Sequence, residues 1–123
     1  MLVRLGCCLV FALAMLASAQ AQARVDCAQE ISRLMSKDTE KLTTRFNRIA
    51  KRIQTQGASK KLRAEECRIA RLLTPKLEDQ LAALKQSGCS KDPEMRSMIA
   101  DIVRGHEDDL ALARKTVARS ECQ

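Results

Sequence analysis

Apolar residues recur every three or four positions along most of this chain, which is the period of an amphipathic helix. The first stripe comprises Ile31, Met35, Leu42, Phe46, Ile49 and Ile53. It contains no proline or glycine, and Gly57 follows it as a natural stop. We therefore predict one helix over residues 27–56, with looser packing where the polar residues Asp38 and Thr39 interrupt the stripe.

Two further stripes of the same period predict a second helix over residues 59–88 and a third over residues 93–121. The inward positions of the second helix are Leu62, Ile69, Ala70, Leu73, Leu77, Leu81 and Leu84. Those of the third helix are Met95, Met98, Ile99, Ile102, Val103, Leu110, Ala113 and Val117. The connections between the three helices are short, so neighbouring helices are expected to run antiparallel.

The ends of helices two and three carry recognisable signals. Ser59 is a candidate N-cap of helix two and Gly88 its stop, while Asp92 and Pro93 supply an N-cap and a first-turn proline for helix three. Pro75 lies inside helix two, where a proline removes a backbone hydrogen bond, and the stripe keeps its phase across it. The predicted fold is therefore all-α: an up-down-up bundle of three long helices, with helix two bent at Pro75 and not split there.

Residues 1–23 have the features of a secretory signal peptide. Arg4 supplies a basic start, residues 5–16 form an uncharged apolar run, and small residues follow. Three positions satisfy the small-residue cleavage rule: Ala19, Ala21 and Ala23. We favour cleavage after Ala23, which leaves residues 24–123 as a single helical domain that has no transmembrane segment and is periplasmic or, alternatively, secreted. An uncleaved anchor is the other interpretation, but the apolar run is shorter than the roughly 20 residues that a spanning helix needs.

Four cysteines remain after the signal peptide: Cys27, Cys67, Cys89 and Cys122. An even number of cysteines in an exported chain favours two disulfides. Zinc is the rival interpretation, but structural zinc sites usually contain closely spaced C-x₂₋₄-C pairs, which these four cysteines do not form. The lack of a C-x-x-C pair also argues against a thiol oxidoreductase.

The predicted helices allow only one pairing of these cysteines. Cys67 and Cys89 would lie about 33 Å apart along helix two, and Cys89 and Cys122 about 40 Å apart along helix three, whereas a disulfide needs Cα atoms within about 7 Å. The remaining scheme joins Cys27 to Cys89 and Cys67 to Cys122. On straight helices Cys122 would pass the level of Cys67 by about 10 Å, so we expect the C-terminus to fold back or the bend at Pro75 to absorb the offset.

The chain has a formal net charge of +7 at pH 7, and its basic residues concentrate around the first helix connection. The candidate anion-binding residues are Arg45, Arg48, Arg52, Lys60, Lys61 and Arg63. Three of them lie in the first turns of helix two, where the helix dipole disfavours cations, so local stability does not explain their presence. We predict a docking site for an anionic envelope component or an acidic protein. A solvated basic surface without a ligand is the alternative.

Other chemistry finds little support in the sequence. Nucleic acid is not an expected partner, because an exported chain seldom meets it and stacking aromatic residues are lacking. His106 is the only histidine, and no phosphate loop, nucleophile elbow or paired-histidine motif is present. We predict no catalytic residue, no metal site and no cofactor. An enzymatic role would need His106 exposed in a cleft with a carboxylate of another helix within hydrogen-bond reach.

The order of the cysteines, the Gly88-Cys89-x-x-Asp92-Pro93 connection and the helix lengths carry a family resemblance. The chain resembles small four-cysteine, signal-bearing, all-helical periplasmic proteins of Gram-negative bacteria, which have no assigned activity. We therefore expect an exported, non-enzymatic binding or envelope-associated accessory protein that docks an anionic partner. A small periplasmic holdase or stress chaperone is the alternative, because a basic exported helical chain is also similar to those proteins.

Overall fold

The structure is a computed structural model that describes residues 26–123, and these residues are predominantly helical, with no strand among them. The long elements are α1 (residues 26–34), α2 (Lys37–Gln56), α3 (Lys60–Gln86) and α4 (Arg96–Val117). A short 3₁₀ helix at Gly88–Lys91 lies between α3 and α4, and another at Ser120–Cys122 follows α4. The all-α prediction is confirmed for this part of the chain. The signal peptide predicted over residues 1–23 lies outside the described residues. The chain divides into two compact units, residues 1–32 and 33–123, and the core and cavities below belong to the second.

The continuous helix predicted over residues 27–56 is wrong, because the helix is interrupted at Met35 and Ser36. Ser36 has extended backbone angles (φ −68°, ψ 130°), and its hydroxyl oxygen accepts a hydrogen bond from the N–H of Thr39. Ser36 is thus the N-cap of α2, whose first turn contains the acidic residues Asp38 and Glu40, as a helix N-terminus favours. A second helix start therefore lies inside the first apolar stripe, and Met35, predicted to point inward, is exposed.

α3 runs without interruption across Pro75, which confirms that the proline does not split it. Ser59 is its N-cap, with the side-chain oxygen accepting from the N–H of Leu62 at 3.1 Å. Pro75 lies on the exposed face of the helix, so water can solvate the backbone carbonyl that the missing N–H leaves without a partner. Beside it, the hydroxyl of Thr74 donates to the carbonyl of Ala70 at 2.7 Å.

The helix predicted over residues 93–121 is shorter at both ends. Asp92 caps a turn by accepting from the N–H of Glu94 at 3.0 Å, and α4 begins only at Arg96. At the other end α4 stops at Val117, Arg119 is extended, and the chain turns through Ser120–Cys122. The expected fold-back of the C-terminus is therefore present.

The turn at the C-terminus places Cys122 beside Cys67, with the two Cα atoms 5.3 Å apart in a disulfide. This bridge was predicted and is confirmed. Cys27 and Cys89 are also disulfide-bonded, but their pairing with each other stays a prediction. Gly57 ends α2, and its predicted role as a helix stop is confirmed. Its φ of 87° lies in the region that glycine tolerates.

The core of the second unit is built around α3, which packs against both α2 and α4. Its buried members are Phe46, Ile49, Ile69, Ala70, Leu73, Leu77, Leu81 and Leu110. α2 and α4 contact each other far less, so a long depression remains between them above α3. One predicted inward position of α4 is wrong, because Met98 is exposed. The polar Thr116, which was not predicted to point inward, is fully buried.

Candidate anion-binding site

The six predicted anion-binding residues do not all line one cavity. Arg63 lines the larger cavity between α2 and α4. Arg45 and Arg48 line a separate depression on the outer face of α2, and Arg45 is paired with Glu65. The remaining three, Arg52, Lys60 and Lys61, are exposed. A run of charges in the sequence thus becomes several different surfaces, because successive helix positions are rotated by about 100°.

The cavity that contains Arg63 lies at the basic end of the depression and has a volume of about 540 Å³. Its apolar lining comes from α2 and α4 and consists of Phe46, Ala50, Ile53 and Leu112. Its charged lining consists of Lys51, Arg63, Glu66 and Arg119. We call this cavity, with these eight residues, the basic groove. It combines an apolar surface with three cations and one carboxylate.

Glu66 is the residue that organises the basic groove. Its side chain is 4% exposed, and Oε1 accepts from Arg119 Nη1 at 2.7 Å and from Arg63 Nη1 at 3.2 Å. A buried carboxylate needs such partners, because an uncompensated buried charge is strongly destabilising. Both arginine side chains are about one-third exposed. Each guanidinium group has five N–H donors, which is more than its bond to Glu66 uses.

The position of each member follows from the local fold. Arg63 and Glu66 are one turn apart near the start of α3, which directs them to the same face. Arg119 comes after the end of α4, on the turn that the Cys67–Cys122 disulfide fastens to α3. Glu121 on the same turn lies 3.5 Å from Arg63 Nε. The disulfide and the ion pairs therefore fix the same corner of the protein.

A second, smaller cavity of about 200 Å³ lies at the other end of the depression. We call it the polar cavity because eight of its nine lining residues have polar side chains, among them Ser36, Thr39, Glu40, Gln80, His106 and Asp109. This is the place where Asp38 and Thr39 interrupt the apolar stripe of the sequence. The looser packing predicted there takes the form of this cavity, although Thr39 itself is buried.

His106 is half-buried in the polar cavity, and both of its ring nitrogens have partners. Nδ1 lies 2.9 Å from the carbonyl oxygen of Ile102, and Nε2 lies 2.5 Å from the side-chain nitrogen of Gln80. The carboxylate of another helix that an enzymatic role would need at His106 is not among these partners. Burial raises the pKa of the neighbouring Asp109 above 3.8, while attraction to His106 acts in the opposite direction and repulsion from Asp108 adds to the rise.

Within residues 26–123, no group of three or more His, Cys, Asp or Glu side chains is arranged to hold a metal ion. None of the helices in the same range is long and apolar enough to cross a membrane. The chain matched no protein-family model, no curated protein and no solved structure. The geometry of its own residues is therefore the basis for a functional proposal.

Sequence reasoning missed Glu66, Arg119 and Gln80 as site residues. Glu66 was given no role in the sequence analysis. A usable signal was nevertheless present: Glu66 and Gln80 occupy positions in the apolar stripe of α3, where a polar side chain must find a buried partner. Thr39 on α2 and Thr116 on α4 are likewise polar residues that are buried.

Proposed function

We propose that this protein is an exported, non-enzymatic binding protein that holds an amphipathic anion in the basic groove. The observation that carries the proposal is the pair of guanidinium groups of Arg63 and Arg119 that the buried Glu66 carboxylate holds at the edge of an apolar cavity. Guanidinium groups held in place lose little freedom when they bind a phosphate or carboxylate, so they suit an acidic head group.

The apolar part of the groove specifies the rest of the ligand. Leu112 is 39% exposed and lies in the groove with Ile53 above the buried ring of Phe46. An inorganic anion would leave this surface in contact with water. A molecule with one acidic head group and an alkyl chain would cover it and gain roughly 25 cal/mol for each Å² of apolar area removed from water.

Two further parts of the proposal concern architecture and location. Three ion pairs join α3 to α4 or to the turn after α4: Glu66 with Arg119, Glu78 with Arg114, and Lys85 with Glu107. Residue numbers rise on one side as they fall on the other, which supports an antiparallel arrangement of α3 and α4. The contacts of Ser36 with Gln80 and of Arg45 with Glu65 support the same arrangement for α2 and α3. The disulfides fit an oxidising compartment, and we place the protein in the periplasm of a Gram-negative cell.

Calorimetric titration with dodecyl phosphate below its micellar concentration tests the proposal, with inorganic phosphate as the head group alone. Dodecyl phosphate should bind more tightly than inorganic phosphate. Arg119→Gln should weaken binding of dodecyl phosphate by about tenfold or more, since it removes a charge-assisted hydrogen bond. Lys115→Gln is the matched control, because it removes the same charge from an exposed position outside the groove. Equal losses in both variants would show that only the net charge matters, and the groove would be rejected.

Glu66→Gln tests whether binding depends on the fixed positions of Arg63 and Arg119 or only on the net positive charge of the groove. The substitution makes the groove more positive, so an attraction governed by net charge predicts tighter binding of dodecyl phosphate. If Glu66 acts by holding Arg63 and Arg119 in place, binding weakens although the positive charge has increased. Circular dichroism of the variant confirms that it is folded before the titration is interpreted.

The holdase alternative makes a different prediction. A holdase binds unfolded clients through exposed apolar surface, and the exposed large apolar side chains among the described residues include Met35, Leu72 and Met98 as well as Leu112. In a light-scattering assay with thermally unfolding malate dehydrogenase, a holdase would suppress aggregation in proportion to its concentration. We expect no suppression, and a clear effect that survives Arg119→Gln would favour the chaperone.

A further inference from the structure

Three residues in the polar cavity form a chain of hydrogen bonds that links the break after α1 to the middle of α4. The backbone N–H of Ser36 donates to Gln80 Oε1 at 3.0 Å. The side-chain nitrogen of Gln80 lies 2.5 Å from His106 Nε2. His106 Nδ1 lies 2.9 Å from the carbonyl oxygen of Ile102. Gln80 is 8% exposed, so water has little access to the middle of this chain.

The two ends of the chain determine the direction of every bond between them. The N–H of Ser36 can only donate, so its partner on Gln80 must be the amide oxygen, and the amide nitrogen must face His106. The carbonyl of Ile102 can only accept, so Nδ1 must carry a hydrogen. Nε2 of a neutral imidazole then has a free lone pair, which accepts from the amide nitrogen of Gln80. The assignment of the amide and of the tautomer thus follows from hydrogen-bonding chemistry.

A second proton on His106 is incompatible with this chain. Protonated Nε2 is a donor and would face the amide nitrogen of Gln80, which is also a donor. Rotating the amide by half a turn would satisfy Nε2 but would direct the amide nitrogen at the N–H of Ser36. A bond from protonated Nε2 to the amide oxygen is charge-assisted and therefore stronger than the bond from the neutral N–H of Ser36. The amide consequently rotates toward His106, and the Ser36–Gln80 bond is lost.

The charged groups around His106 are carboxylates. Asp109, one turn further along α4, and Glu40 of α2 both line the polar cavity. α3 contributes the uncharged Gln80, and Met35 and Ser36 before α2 contribute no charge. An imidazolium therefore has opposite charges beside it while it donates from Nε2 to the amide oxygen of Gln80.

We propose that Ser36, Gln80 and His106 form a proton-controlled latch that fastens the junction at residues 35–36, and that protonation of His106 opens it. The junction is the place where the first apolar stripe is divided into two helices. In the closed state the backbone of Ser36 is tied to the centre of α3. In the open state it loses that tie, so the junction exchanges with water more readily. Ligand binding in the basic groove is not required for this device.

Nuclear magnetic resonance of the full chain tests the latch, and His106 gives an isolated signal because the chain has no other histidine. The imidazole ¹⁵N shifts should report the Nδ1–H tautomer at high pH. On acidification from about pH 8 to pH 5, the protection factor of the Ser36 amide should fall by about tenfold, the factor expected for the loss of one hydrogen bond. An Nε2–H tautomer at high pH, or unchanged Ser36 protection once the ¹⁵N shifts show a protonated imidazole, would overturn the proposal.

Two variants separate the latch from a general effect of acid. Gln80→Glu supplies two acceptor oxygens, so it can bind protonated His106 and the Ser36 N–H together, and Ser36 protection should persist at low pH. His106→Gln cannot be protonated, so Ser36 protection should not depend on pH over the same range. If both variants lose Ser36 protection on acidification as the original protein does, the cause lies elsewhere and the latch is wrong.

Discussion

The Cys67–Cys122 disulfide allows a quantitative prediction, because it closes a long loop in the unfolded chain. Its cysteines are 55 residues apart in sequence, and both are buried. The chain-entropy relation gives about 4 kcal/mol for a loop of this length at 25 °C. Replacing both cysteines by alanine should therefore lower the free energy of unfolding by about 3–4 kcal/mol, which is a large share of the 5–15 kcal/mol typical of small domains.

Urea unfolding followed by far-UV circular dichroism measures this loss. The midpoint should move to lower urea, and the m-value should rise, because an unfolded chain without the cross-link exposes more surface. The other cysteines stay unchanged in this experiment, so the comparison concerns one bridge. A loss below about 1 kcal/mol with an unchanged m-value would refute the view that the bridge acts by restricting the unfolded chain.

The same variant also tests the link between the disulfide and the basic groove. Arg119 lies three residues before Cys122, on the turn that the disulfide holds against α3. Without the bridge, the ion pair with Glu66 must position the turn, and Arg119 gains freedom that binding must remove again. Under conditions where the variant is folded, its affinity for dodecyl phosphate should fall by a factor of about three to ten, since ordering one long side chain costs about 0.5–1.5 kcal/mol. Unchanged affinity would show that the turn is held without the bridge.

Other substitutions test the core, the helix termini and the polar cavity. Leu73→Ala should lower the free energy of unfolding by about 2–5 kcal/mol because Leu73 is fully buried, whereas Leu72→Ala on the exposed face should cost less than about 1 kcal/mol; chemical unfolding measures both. Gly57→Ala should destabilise by about 1 kcal/mol or more because its φ is 87°, whereas Gly105→Ala inside α4, where an added Cβ meets nothing within 4 Å, should stabilise by up to about 1 kcal/mol. Asp109→Asn should raise the melting temperature at pH 7. Burial raises the pKa of Asp109 in the folded state, so the folded protein loses stability as pH rises from 3.8 through that raised pKa. The melting temperatures of the variant and the original protein should therefore converge below pH 3.8.

The secondary structure was largely predictable because it depends on local signals. Helical spacing of apolar residues, the Ser59 cap and the Gly57 stop each act within a few residues, and all three are confirmed. The break at Ser36 was not found, because a serine on the polar side of a helical stripe resembles any solvent-exposed residue. The N–H of Ser36 donates a hydrogen bond to Gln80 on another helix, and local sequence signals do not include this contact.

The candidate site was less predictable, because it depends on which helix faces come together. Six basic residues near one connection suggested one surface, yet only Arg63 lines the basic groove. Lys51, which lies between the predicted Arg48 and Arg52, and Arg119, which follows α4, complete its positive charge. Glu66 had no predicted role, whereas the buried carboxylate holds Arg63 and Arg119 in place.

Glu66 and Gln80 together explain why the depression between α2 and α4 has two different ends. They lie fourteen residues apart on α3, which is about 21 Å along the helix and nearly the same face. An apolar residue at either position would pack without a hydrogen-bonding partner, so the stability of the core does not by itself explain why Glu66 and Gln80 are polar. Each polar group instead selects its partners: Glu66 holds Arg63 and Arg119, while Gln80 holds Ser36 and His106. Two polar residues in the apolar stripe of α3 therefore determine a cationic end suited to a ligand and a hydrogen-bonded end suited to a proton-dependent change.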